Sequence, residues 1–369
     1  MRNPLAAHPP WRQLTIIAVV LPLMIVLAVL AFAWPAARIA PRGLPVGIVG
    51  TGQAGQQVLA GLTRSDPGGY DVRLYADVSS ARSAIEERDV YGAFAVGAGR
   101  ITVLEASAAS PAVTQLLSTV GQRLARNTAE QAAAGGVPRQ AVQVRDVDVV
   151  ATAAGDPHGL VLPSALLPMT ICGVIMAAVV ALVLEFRPAW RQILALIVVS
   201  ATAGLGAYLI AQGFLGALPH GAVATWAALS LIVLAIGATT AGLIALIGAP
   251  GLGLGILLMI FVGNPFSGAT SAPELLPTPV GTIGQWLPPG AGASLLRSTA
   301  YFNGHGASGH LTVLIVWIVL GLAAIAAGHH VPVRFAARRA WKASSAAAAA
   351  GHQVAAIGPG AVTEDRAYS

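Results

Sequence analysis

The chain is short of charge. Only 10% of its 369 residues are Asp, Glu, Lys or Arg, against about 25% in an ordinary soluble domain. Hydrophobic residues make up 56% and the mean hydropathy is +0.73, the balance of an integral membrane protein. Lysine is nearly missing: Lys342 stands alone, and arginine carries the remaining positive charge. The isoelectric point near 10.1 does not point to nucleic acid as a partner, because the basic residues are scattered rather than gathered into a stripe. The single cysteine, Cys172, sits in an apolar run. It excludes an intrachain disulfide and any cysteine-based metal site.

Titratable groups are missing where they would do work inside a membrane. None of the long apolar stretches holds Asp, Glu, Lys, Arg or His at its centre. Proton-driven transporters place ionisable groups there as relays, so proton antiport is a poor fit. Intramembrane proteases and most membrane transferases need His, Asp or Glu clusters, and none is present. No histidine pair has H-E-x-x-H spacing, and no G-x-x-x-x-G-K-[ST] occurs. The expectation is a protein that is not itself an enzyme, holds no cofactor or metal, and has no P-loop of its own for ATP.

What the chain has is apolar length. A bilayer core about 30 Å thick takes about 20 residues of helix. Six stretches approach that: Leu14–Trp34, Val161–Leu184, Ile193–Leu215, Ala222–Ile247, Leu252–Ala272 and Leu311–Gly328. The fifth is the weakest, because its strongly apolar part stops at Gly263 and Asn264-Pro265 follows. Arginine and lysine in short loops set orientation. Arg2 and Arg12 precede the first span, Arg187 and Arg191 lie between the second and third, and Arg334, Arg338, Arg339 and Lys342 follow the sixth. All three clusters agree on six spans in a cell membrane, both termini cytoplasmic, and residues 35–160 outside. Ala31-Phe32-Ala33 also fits a signal-peptide cleavage pattern, although the run is long for one.

Residues 35–160 have the composition of a soluble α/β domain. Pro45–Gly50, Asp71–Tyr75, Tyr91–Val96, Ile101–Glu105 and Val142–Val150 read as strands. Gln53–Arg64, Ser79–Arg88 and Ser110–Ala134 read as helices, with Asp77 or Ser79 as an N-cap for the second. The first strand runs into Gly50-Thr51-Gly52-Gln53-Ala54-Gly55, which fits G-x-G-x-x-G. Asp77 falls about where a ribose-binding acid belongs. Dinucleotides are not normally available outside a cell, so the glycines read as a tight strand-to-helix turn. The expected fold is a mainly α-helical membrane protein of six transmembrane helices, with this extracytoplasmic α/β domain inserted after the first. The divisions are 1–34, 35–160, a five-helix unit at 161–330, and a largely disordered cytoplasmic tail at 331–369.

Residues 264–304 are the most distinctive stretch. They are apolar, broken by Pro265, Pro273, Pro277, Pro279, Pro288 and Pro289, and charged only at Glu274 and Arg297. Such a run reads as short helices dipping back into the outer leaflet, with Pro288-Pro289-Gly290 as a break and Ala291–Thr299 as an amphipathic piece. Gly251-Leu-Gly253-Leu-Gly255 supplies a G-x-x-x-G, suited either to dimerisation or to packing within the chain.

The stretch Glu274-Leu-Leu-Pro277, then Trp286-Leu-Pro288-Pro289-Gly290, Leu295-Leu296-Arg297 and Tyr301-Phe302, resembles the end of ABC-2 type transporter permeases. The order of the whole chain is similar too, apart from the tail. The resemblance implies the membrane subunit of an exporter, embedded in membrane lipid. It would act as a homodimer or heterodimer and be driven by a separate cytoplasmic ATP-binding subunit. By the same resemblance Glu185, Arg187 and Arg191 belong to a loop that touches the ATPase. Asn264, Glu274, Pro288, Pro289 and Arg297 belong to a re-entrant gate, and Gln212 and Ser267 join Asn264 as polar groups on a path. The substrate class left open by the sequence tilts towards hydrophobic cargo. The rival reading is a non-transporting anchor whose outer α/β domain binds a partner or an envelope component.

Overall fold

Apolar run length decides the long helices. A computed structural model describes residues 10–50, 52–97, 99–134, 142–185 and 187–328. Helix α1 covers Pro10–Ala37. After the sheet region come α5 (Val161–Val183), α6 (Ala189–Tyr208), α7 (Ala222–Ile247) and, at the end, α11 (Ala307–Gly328). Among the described residues five helices are long and apolar enough to cross a membrane, which makes this a mostly helical, membrane-embedded protein. Within them α7 is the hub: 61% of its most apolar window is buried, against 6% for α1. Helix α1 therefore offers its apolar side chains to the surroundings, while α7 packs against α5, α6 and α11.

The stretch Leu252–Ala272 does not form one continuous helix. Helix α8 (Ala249–Ile256) continues as a seven-residue π-helical turn, Leu257–Gly263, and stops before Asn264-Pro265. Proline lacks the N–H that would extend the ladder. The last part of α6 also widens into a π-helix, Leu209–Phe214. Such widened turns are rare and frequently mark functional sites.

The mixed sheet is built between α1 and α5. Its strands are β1 (Leu44–Val49), β2 (Tyr70–Tyr75), β3 (Gly92–Gly97), β4 (Arg100–Glu105) and β5 (Gln143–Asp148), in the order β2-β1-β3-β4-β5. The β3–β4 pair is antiparallel and the other neighbours are parallel. Helices α2 (Gln53–Ser65), α3 (Val78–Glu86) and α4 (Pro111–Ala134) connect them. Val46, Ile48, Phe94, Ile101 and Val103 from the strands meet Val58, Leu62, Val113 and Leu117 from the helices in one apolar core. Ala272 and Leu275, far along the chain, belong to that same core.

The glycine turn now has a structural explanation. Gly50 has φ +96°, and a Cβ on Gly55 would lie 2.3 Å from the Gly50 carbonyl oxygen. Both glycines are what a tight β1–α2 turn requires. Asp77 stands just past β2, and its Oδ1 accepts from Ser80 N at 2.8 Å and Ser79 Oγ at 2.7 Å. It caps α3, and those hydrogen bonds hold its carboxyl below the usual carboxylate range.

Candidate functional site

The segment after Gly263 folds back through a 3₁₀ turn at Pro273–Leu275, helix α9 (Val280–Gln285) and helix α10 (Pro288–Tyr301). Pro288 and Pro289 fill the first turn of α10, where their missing N–H groups cost nothing. Every residue from Pro288 to Tyr301 is buried. The amphipathic helix expected over Ala291–Thr299 is therefore corrected: α10 has no solvent face, because α7, α11 and α5 surround it. Its polar residues must find partners inside the protein.

A chain of hydrogen bonds answers that need. Asn264 Nδ2 donates to Thr170 Oγ1 on α5 at 3.1 Å, and Ser267 Oγ donates to the Asn264 carbonyl at 2.6 Å. Gln285 Nε2 donates to the Ser267 carbonyl at 2.9 Å, and Gln285 Oε1 accepts from Ser294 Oγ at 2.7 Å. Arg297, 5% exposed, donates through Nη2 to the Ala269 carbonyl at 2.5 Å. Gln212 Oε1 accepts from Leu218 N at 2.8 Å beside the π-helical end of α6. Gln212 and Ser267 thus satisfy backbone at interrupted helices, whereas Asn264 ties the segment to α5.

The sheet region closes onto this segment. Ala40 N and Arg42 N donate to the carbonyls of Leu275 and Glu274 at 3.1 and 2.9 Å. Arg42 Nη1 donates to Leu275 O at 2.8 Å, and Ser110 Oγ to Ser271 O at 2.7 Å. Tyr91 Oη donates to Glu274 Oε2 at 2.8 Å. Arg88 Nη1 donates to the Ser294 carbonyl at 3.0 Å and also to Ser298 Oγ, while its guanidinium lies 5.2 Å from the centre of the Phe302 ring. Arg88 has φ +66°, a left-handed conformation unusual for a side chain of this size. The strained backbone and the cation–π contact together aim it at α10.

Between the two parts lies a cavity of about 190 Å³ lined by Arg88, Asp89, Tyr91, Glu274, Gln285, Ser294 and His310, among others. Burial pushes the Tyr91 hydroxyl well above its ordinary pKa, helped by the Glu274 charge, so it stays a donor. Burial also lowers the Arg88 pKa, while Tyr91 and Glu274 oppose that shift. Glu274 was marked by its sequence as one of two charges in the segment, and Pro289 packs at Gly263 near the segment's start. These contacts were not legible: Tyr91 reaches Glu274, and Arg88 reaches Ser294, from the sheet region, 183 or more positions away.

Glu185, Arg187 and Arg191 fall elsewhere, on the α5–α6 turn. Arg191 stacks on Trp190, 5.2 Å from the ring centre. Buried Gln192 donates to the Leu184 carbonyl at 2.9 Å. A mostly apolar cavity of about 450 Å³ opens beside them, lined by Leu182, Glu185, Gln192, Ile244 and Leu252. The G-x-x-x-G glycines point inward. A Cβ on Gly251 would meet the Leu243 backbone at 2.2 Å, and one on Gly255 would meet Thr240 at 2.7 Å. Their role in the structure is packing of α8 on α7. His329, His330 and the expected tail at 331–369 lie outside the described residues.

No family model, curated protein or solved structure matches the chain.

Proposed function

We propose that the chain is the permease subunit of an ATP-driven exporter of the ABC-2 type. In this reading six membrane passages are made, the fifth by α8 together with the folded-back segment. The α/β region is extracytoplasmic, and both termini are cytoplasmic. The subunit works as a dimer in the cell membrane and moves a hydrophobic substrate outward by alternating access. Energy comes from a separate cytoplasmic ATP-binding subunit that engages Glu185, Arg187 and Arg191. Glu274 and Arg297, with Asn264, Pro288 and Pro289, form the outer gate.

One observation carries the reading. Helix α10, with Ser294, Arg297, Ser298 and Thr299 buried, sits deep among apolar helices and is entered through interrupted helical turns. Irregular, polar backbone at membrane depth is tolerated where it is enclosed by protein or lines a path. The apolar helices themselves hold no titratable relay, so a driving force has to reach the path from outside the chain. The cavity beside the α5–α6 turn leaves room for that turn to shift against α7 and α8.

The test is reconstitution with an ATP-binding subunit recovered by pull-down on the tagged chain. Vesicles holding both subunits should hydrolyse ATP faster than the ATPase alone, and charge reversal of Arg187 and Arg191 together should remove the stimulation. Vesicles holding this chain alone should move nothing on addition of ATP. ATP-driven uptake by the single chain would refute the division of labour.

A further inference from the structure

The cavity at the seam carries charges of both signs that do not close on each other. Arg88 and Glu274 both line it and interact electrostatically. Yet no ion pair joins the two; the Arg73–Asp71 pair lies elsewhere, on the surface. Beyond its contact with the Phe302 ring, Arg88 makes its hydrogen bonds through Nη1 alone; its Nε and Nη2 donate to no described residue. Glu274 accepts from Tyr91 through Oε2, and its Oε1 accepts from no described residue. Two half-satisfied charges, one cationic and one anionic, thus face one space of about 190 Å³. That is room for a molecule of several heavy atoms rather than a single water.

We propose that this cavity binds a small zwitterion, its anionic end on Arg88 and its primary ammonium on Glu274. A bare anion would meet the Glu274 and Asp89 carboxylates, and a bare amine would meet the guanidinium. A molecule with both ends satisfies the two charges at once. The planar donors of Arg88 suit a carboxylate or phosphate, and Glu274 with Asp89 near the mouth supplies acceptors for an ammonium. Arg297, outside the lining but within electrostatic range of Arg88 and Glu274, makes the group two guanidiniums against two carboxylates. An electrically balanced site suits a ligand without net charge. The proposal does not depend on transport: it holds for an exporter and for a membrane anchor alike.

Free amino acids and the head of an ethanolamine phospholipid share this chemistry, and the test separates them. The full chain, purified in detergent, is titrated with glycerophosphoethanolamine, whose phosphodiester leaves it without net charge, and with glycine by saturation-transfer NMR. Saturable binding is expected for at least one of them, and binding about tenfold weaker for inorganic phosphate or ethanolamine alone. Arg88→Gly relieves the left-handed strain while removing the cation, and Glu274→Gln keeps an oxygen for Tyr91 while removing the anion. Each should weaken zwitterion binding about tenfold. Native mass spectrometry from mixed nanodiscs assigns the source. Selective retention of ethanolamine lipid over glycerol lipid means a lipid head; binding of free zwitterion without lipid selectivity means a solute. Phosphate binding as tightly as glycerophosphoethanolamine, no saturable binding of either zwitterion, or indifference to both variants would overturn the proposal.

Discussion

At the scale of single residues, two side chains in the sheet region give separate tests. Tyr91 holds Glu274 through one hydrogen bond to a charged acceptor, a class worth about 1.5–3 kcal/mol. Tyr91→Phe should lower the thermal midpoint of the purified chain by several degrees without changing its secondary structure by circular dichroism. Glu105 behaves differently. It is buried on β4 beside Asp146 and Asp148. Burial first, and the two aspartates second, push its carboxyl up to about 7 from an ordinary 4.5. A raised carboxylate pKa favours the fold while the group is protonated, so this contribution erodes as pH climbs from about 4.5 through about 7. The neighbouring aspartates are exposed, so water screens the effect to about 1–2 kcal/mol. Glu105→Gln should leave stability at pH 5 nearly unchanged and raise it at pH 8, as read from melting curves at the two pH values. An equal gain at both would show that the charge is not the cause.

At the scale of elements, close approach of backbones sets the packing of α11 on α7. A Cβ on Gly321 would lie 2.4 Å from the Ala238 carbonyl carbon, and one on Gly328 2.4 Å from the Ala245 carbonyl oxygen. Gly309, at the start of α11, has nothing within 4 Å. Gly321→Val should therefore cost about 1–3 kcal/mol or more through overpacking, seen as a lower midpoint and earlier aggregation in detergent. Gly309→Ala should be neutral within about 0.5 kcal/mol. Most elements could be read from the chain because their causes are local. Apolar length gave the long helices, short apolar runs between turn residues, alternating at Asp71–Tyr75, gave the strands, and Ser110-Pro111 and Asp77 marked helix starts. Asn264-Pro265 announced the early end of α8 for the same reason. The burial of α10 on all sides was not legible, because Arg297 and three hydroxyl residues over Ser294–Thr299 imitate a polar face. They turn inward only because Gln285, the Ala269 carbonyl and Arg88 meet them there. The left-handed Arg88 gave no warning either: it follows a helix, where glycine would be the usual choice.

At the scale of the whole molecule, the sheet region is not a loosely tethered head. Its core takes in Ala272 and Leu275, and hydrogen bonds from Ala40, Arg42, Tyr91, Arg88 and Ser110 hold the folded-back segment. Any shift of that segment must move the sheet region or break those bonds, so in the proposed exporter the outer domain would travel with the gate. The exporter reading rests on which face of the membrane each part occupies, and cysteine accessibility tests this most directly. With Cys172 replaced by alanine, Gln53→Cys and Arg187→Cys are introduced singly and treated in intact cells with a membrane-impermeant maleimide. The account predicts labelling at position 53 in intact cells, and at position 187 only after the membrane is opened. Labelling at 187 in intact cells with protection at 53 would invert the molecule. It would remove the ATPase contact from Arg187 and Arg191 and reopen a nucleotide-binding role for the Gly50–Gly55 turn.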